Sequence, residues 1–127
     1  MNTLASQPYA HLATFDHDLL VQRLMGDGDI TQLILNAFMT NIGPRLNQLT
    51  EQVDCRDLPA LLKNIHVIKG AAGNVSALVL HQMTIDLEEA GRTADLTEIG
   101  RLTKLITSHY DTQLRPLLER QTGIQAR

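Results

Sequence analysis

The stretch Asn64-Ile65-His66-Val67-Ile68-Lys69-Gly70-Ala71-Ala72-Gly73-Asn74 holds the most chemically suggestive spacing in the chain. Relative to His66, Lys69 stands at +3, Gly70 at +4 and Gly73 at +7. At 100° per residue an α-helix puts all four on one face. A histidine of ordinary pKa (~6.5) is mostly neutral at pH 7 and offers a nitrogen lone pair. A lysine one turn away brings a point positive charge to the oxygens of any group placed on that nitrogen. The chemistry is nucleophilic: a histidine that accepts a group and hands it on. Each glycine in a helix interior costs ~1 kcal/mol relative to alanine. Two of them flanking Ala71-Ala72 point to a steric purpose, clearance beside His66 for an approaching surface. Each member also has a plainer reading. A lone histidine on a helix flank is commonly an ordinary surface residue, the glycines allow a close helix crossing, and Lys69 is a solvated charge. The combined spacing favours the chemical reading.

This face needs a helix and a core beneath it. Leu58, Leu62, Ile65, Ile68, Ala72 and Val75 form a broad apolar stripe, with His66 on its flank. The spacing predicts a helix from Asp57, as N-cap, to Val75, with Pro59 harmless in the first turn. Before it, Asp16–Met25 forms a short helix carrying Leu19, Leu20 and Leu24. That helix ends at the turn Gly26-Asp27-Gly28-Asp29, where Asp29 caps the next. The next helix starts at Ile30 and continues through Val53, with a kink or a break into two helices at Gly43-Pro44. A fourth helix spans Ala77–Arg92 with Leu78, Leu80, Ile85 and Leu87 as apolar members. A fifth runs from Asp95 or Thr97 to Leu118, distorted or ended by Pro116. Nothing alternates with period two, so the fold class is all-α: an antiparallel four-helix bundle with an additional short N-terminal helix. Residues 1–13 read as a flexible lead or a loosely docked segment, 14–120 as the bundle, and 121–127 as a tail.

The chain has 127 residues, 43% of them hydrophobic and 3% aromatic, enough for one aliphatic core. The net charge of −3 disfavours nucleic-acid binding. No apolar run approaches the ~20 residues of a membrane span, and the N-terminus lacks the order of a signal peptide. Cys55 is the single cysteine, which rules out an internal disulfide and a multi-cysteine zinc site and suits a reducing, cytoplasmic setting. Cys55 reads as an inert thiol. His11, His17, His81 and His109 have no zinc-binding spacing, and Asp27 and Asp29 lack the other ligands of a calcium loop. Glu88, Glu89 and Arg92 read as a solvated face. There is no Walker-type phosphate loop. No metal and no bound cofactor are expected.

The central stretch resembles the histidine-containing phosphotransfer (HPt) domain. That family's approximate pattern is His-x-x-Lys-Gly-small-small-x-Asn-x-Gly-Ala; here it is His66 through Lys69-Gly70-Ala71-Ala72 to Asn74-Val75-Ser76-Ala77. Phe15-Asp16 with Leu19, Leu20, Arg23 and Gly26-Asp27 is similar to the family's N-terminal segment. Phe38, Pro44 and Leu46 are similar to its second helix, and Leu87-Glu88-Glu89-Ala90-Gly91-Arg92 to the end of its fourth. The resemblance covers residues 14–118, and the central motif is its most specific part. It implies a phosphorelay intermediate, as at the C-terminus of hybrid sensor histidine kinases or as a free shuttle. His66 takes a phosphoryl group on Nε2 from a receiver-domain aspartate and passes it to another; Lys69 steadies the phosphoryl oxygens; Gly70 and Gly73 keep the approach clear. The Mg²⁺ belongs to the receiver. The chain is then a carrier without an ATP site, a monomer that docks receiver domains through apolar and small residues of the second and third helices. Two departures stand out. Ser76 occupies a position usually held by glycine. In many relatives a glutamine or similar polar residue of the fourth helix leans toward the histidine; the counterpart here is Glu88 or a neighbour. A carboxylate would repel a phosphoryl group, so Glu88 is not taken as a site residue. The alternative is a non-catalytic helical adaptor that binds a partner with His66 idle.

Overall fold

The computed structural model describes residues 8–123. Residues 1–7 of the expected lead and 124–127 of the expected tail lie outside the described residues. Every regular element described is helical: α1 (His17–Arg23), α2 (Gly28–Asp54), α3 (Leu58–Asn74), α4 (Leu78–Arg92), α5 (Leu96–His109), a π-helical turn (Tyr110–Leu114) and α6 (Arg115–Thr122). No helix among them is long and apolar enough to cross a membrane.

Side-chain capping begins four of these helices. Asp16, Asp27, Asp57 and Asp95 each accept a backbone N–H with a side-chain oxygen, satisfying donors that a first turn leaves open. The cap of α2 is Asp27, not Asp29, which lies inside the first turn where its charge suits the helix dipole. The links from α2 to α3, α3 to α4 and α4 to α5 share one device. Arg56, Ser76 and Ala94 have φ of 55°, 60° and 55°. The following residue's N–H then bonds back to a carbonyl of the preceding helix, as in Asp57 to Gln52, Ala77 to Ala72 and Asp95 to Ala90. Ser76 therefore stands where a left-handed backbone is required and glycine would be unstrained. Its carbonyl accepts from the Asp16 N–H and its hydroxyl from Arg23 Nη1, contacts that hold the less suited residue in place.

At two prolines, of the alternatives expected, the break or end of a helix does not occur. Pro44 neither splits nor ends its helix: α2 is continuous over 27 residues. Phe38, Met39 and Ile42 before it, and Leu46 and Leu49 after it, are all buried on one side, and that burial outweighs one lost hydrogen bond. Pro116 does not end the last helix at Leu118. The chain widens into the π turn at Tyr110–Leu114, restarts with Pro116 in the first turn of α6, and stops at Gly123 in a left-handed conformation. Helix thus extends through Thr122, beyond residue 120.

The core is aliphatic and crosses every long helix, with Leu35, Ile42, Leu49, Leu61, Ile65, Ile68, Leu80, Leu87, Ile99, Leu102 and Ile106 sealed from solvent. On α3 the buried positions are Leu61, Asn64, Ile65, Ile68 and Ala72; Leu58 and Leu62 are half-buried, so the stripe is rotated from the expected one toward α2. Asn64 anchors that rotation. Its Nδ2 donates to Arg45 O at 2.9 Å and to Gln52 Oε1 at 3.1 Å, and its Oδ1 accepts from Arg45 Nη1 at 3.3 Å. On α4 the buried set is Val79, Leu80, Met83, Thr84, Leu87, Glu88, Ala90 and Gly91, with Leu78 and Ile85 only half-buried. A Cβ on Gly91 would come within 2.8 Å of Leu62 Cδ2, so this glycine sets how closely α3 and α4 approach. Residues 8–13 are docked: the Tyr9 hydroxyl donates to Asp86 Oδ2, and the Val79 N–H to Ala13 O at 3.2 Å.

His109 at the end of α5 is 8% exposed, and its Nε2 has no hydrogen-bond partner among the described residues. Burial pushes its proton affinity below the ordinary histidine value of 6.5. Below that pH the unfolded chain takes up a proton that the folded chain resists, so stability falls with acid. The urea midpoint should drop between pH 6.5 and 5, with a shallower drop in His109→Gln; an unchanged slope in that variant would show the ring to be solvated in the folded protein.

Candidate functional site

Burial of Ile65 and Ile68 determines where the rest of α3 points. His66, one step of 100° from Ile65, leaves the core and carries its side chain 73% exposed. Lys69 follows on the same face, its side chain 26% exposed. Gly70 is exposed and nothing lies within 4 Å of the Cβ it lacks. His66, Lys69 and Gly70 thus form one accessible surface.

Gly73 faces something else. A Cβ there would come 3.2 Å from Cδ2 and 3.3 Å from Nε2 of His81 on α4. Its carbonyl accepts from Arg23 Nη1 at 3.0 Å. The missing side chain makes room for a ring inside the α3–α4 seam, which accounts for this glycine by helix packing rather than by clearance at His66.

The residue that spacing alone did not bring to the site is Glu88. It is 8% exposed and faces α3, not solvent. Its Oε1 accepts from Lys69 Nζ at 2.8 Å and lies 3.4 Å from Arg92 Nη2; its Oε2 lies 3.8 Å from His66 Nδ1. The hydrogen bond from Lys69 holds its carboxyl below the usual carboxylate range, against the opposing effect of burial, with Lys69, Arg92 and His66 adding charge attraction. The face expected for Glu88, Glu89 and Arg92 is therefore divided: Glu89 and Arg92 are solvated and Glu88 is not. Glu88 continues the buried series Leu80, Thr84, Leu87 around α4, which is the one signal the sequence carries for it; the register of the seam with α3 is what sets it beside Lys69.

Toward α2, Val67 is 42% exposed and opens onto a shallow apolar groove with Ile34, Phe38, Ile42, Ala71 and Val75 along its floor and Asn41, Arg45 and Asn74 at its rim. Leu33 (67% exposed) and Ile30 (44% exposed) extend this apolar surface along α2. Among the described residues no group of three or more His, Cys, Asp or Glu side chains could hold a metal ion. Cys55 is exposed at the end of α2. His17 lies against Phe15 and within 3.1 Å of the Gln121 amide.

A family model described as the Hpt domain matches residues 33–119, a span that contains α3, α4, α5 and most of α2. No curated protein matches the chain. No solved structure matches it either.

The two glycines should respond differently to a methyl group. Gly70→Ala relieves ~1 kcal/mol of helix-interior cost in open space and should raise the melting temperature by about 4 °C. Gly73→Ala must displace the His81 ring and should gain less or lose stability. Equal gains in the two melting curves would remove the packing account of Gly73.

Proposed function

The chain belongs to the Hpt domain family, and from that premise we propose that His66 is the acceptor of a phosphoryl group carried between receiver-domain aspartates. Hpt domains act in two-component phosphotransfer and carry phosphate without an ATP site of their own. The observation that supports His66 as the carrier is its exposure of 73%, with an ammonium one turn away on a face otherwise stripped by Gly70.

The transfer needs in-line placement and charge stabilisation more than covalent machinery from the carrier. With the proton on Nδ1, the Nε2 lone pair attacks phosphorus of the receiver's acyl phosphate. The N–P bond forms as the O–P bond breaks, and that bonding pair leaves on the aspartate oxygen as carboxylate. The ring keeps its Nδ1 proton and becomes cationic. The receiver supplies Mg²⁺. Lys69 Nζ serves the phosphoryl oxygens, and Gly70 leaves the receiver room to bring its aspartate close. The reverse step returns the group to the same or another receiver.

We read the long helices as an antiparallel four-helix bundle with α1 set against it, a rigid support for one reactive ring. The apolar surface of Val67, Phe38, Ile34 and Leu33 is the docking face for a receiver, at the small end of protein interfaces. The chain works as a monomer in the cytoplasm, either as a free shuttle or as a module of a hybrid sensor kinase.

A phosphorylated receiver should transfer an acid-labile, base-stable label to the wild-type chain and none to His66→Gln. Label retained in His66→Gln would overturn the assignment. No label on a folded wild-type chain, with receiver binding intact, would favour the adaptor. Gly70→Leu should fold and bind less productively, cutting the transfer rate about tenfold or more through a misplacement of the order of 1 Å; a normal rate would overturn its steric role.

A further inference from the structure

Glu88 is a buried carboxylate placed where an incoming anion must be stabilised. Its partners are Lys69 at 2.8 Å, Arg92 at 3.4 Å and His66 Nδ1 at 3.8 Å. Resting on the phosphotransfer reading above, we propose that Glu88 is a positioning residue that biases His66 toward its unloaded state by holding Lys69 in competition with the phosphoryl group.

The charges decide the direction. Lys69 and Arg92 are the cations of the cluster, and the carboxylate cancels one of their two positive charges before any phosphoryl group arrives. Loading puts about two negative charges on Nε2. Lys69 must then share its ammonium between the phosphoryl oxygens and Glu88 Oε1, and the shorter pair of the resting state is weakened. Glu88 gains one new attraction, to the Nδ1–H of the cationic ring. That contact starts from 3.8 Å, whereas the one it shares starts from 2.8 Å, so the loss at Lys69 sets the sign. Arg92 moderates the effect: it stays paired with Glu88 one helical turn away and lets Lys69 turn toward the phosphoryl group. The return step has the opposite balance. As the N–P bond breaks and its electron pair stays on Nε2, Lys69 recovers Glu88 fully. The arrangement suits a carrier that does not store phosphate.

The test is the equilibrium distribution of label between a phosphorylated receiver and the full-length chain, with Mg²⁺ present. Glu88→Gln keeps the shape and removes the charge; it should move label toward His66 about fivefold, in the range of partly exposed charge pairs, and lengthen the life of the phosphohistidine. Arg92→Leu leaves Glu88 to Lys69 alone and should move label toward the receiver. Melting curves of both variants separate these shifts from damage to the fold. The shift toward His66 in Glu88→Gln supports the competition, since a merely structural Glu88 would leave that distribution where it is, and a shift toward His66 in Arg92→Leu would overturn it. An unchanged distribution in Glu88→Gln, or a shift toward the receiver, overturns it. A wild-type chain that takes no label at His66 overturns the phosphotransfer reading itself, and that result appears before any variant is compared.

Discussion

One helix has to satisfy two surfaces at once. In α3 the side chains of Leu61, Ile65, Ile68 and Ala72 are withdrawn from water, and the 100° step between residues then leaves no freedom about where His66 and Lys69 stand. Each fully buried leucine or isoleucine contributes ~1.5–3 kcal/mol relative to exposure. Rotating α3 to hide His66 would forfeit several such contributions and would bury an imidazole in exchange. The exposure of the ring follows from the same packing that stabilises the bundle, and Asn64, hydrogen-bonded to Arg45 and Gln52 of α2, fixes the rotation further.

The seam between α3 and α4 carries the second constraint. Its pairs run in opposite chain directions: Leu62 beside Gly91, Lys69 beside Glu88, Gly73 beside His81. Gly91 and Gly73 allow the helices to approach, and that approach brings a carboxylate of α4 to the edge of the site. At its far end the seam is closed by Ser76, held in a left-handed conformation with help from Arg23 and Asp16. Support and site are therefore continuous. The same close approach that packs α4 on α3 sets the charge next to His66.

This continuity gives the two glycines of the motif different physical reasons despite their shared face. Gly70 faces open space, where a side chain would meet only a visitor. Gly73 faces His81. Helical spacing puts both on the side of His66, but spacing is blind to the partner across the seam, and the partner decides what each missing side chain is for.

Much of this chain is written locally. The helix-forming periods, the Asp57 cap, the absence of period-two alternation and the constellation of His66, Lys69 and Gly70 all depend on neighbours within a turn or two, and helical geometry alone relates them. Those features were legible without coordinates, as was the resemblance that rests on them. Distant contacts were not. Whether Pro44 breaks α2 depends on buried side chains along both halves of that helix, and whether Pro116 ends the last one depends on a widened turn before it. Whether Glu88 is solvated or aimed at Lys69 depends on the register of two helices, which hydrophobic periods specify only to within a residue or two. Sequence alone determined that a histidine and a lysine would share a helical face. Tertiary packing decided that the face is open, which glycine opens it, and which carboxylate shares it, because those outcomes belong to the space between helices and not to any one of them.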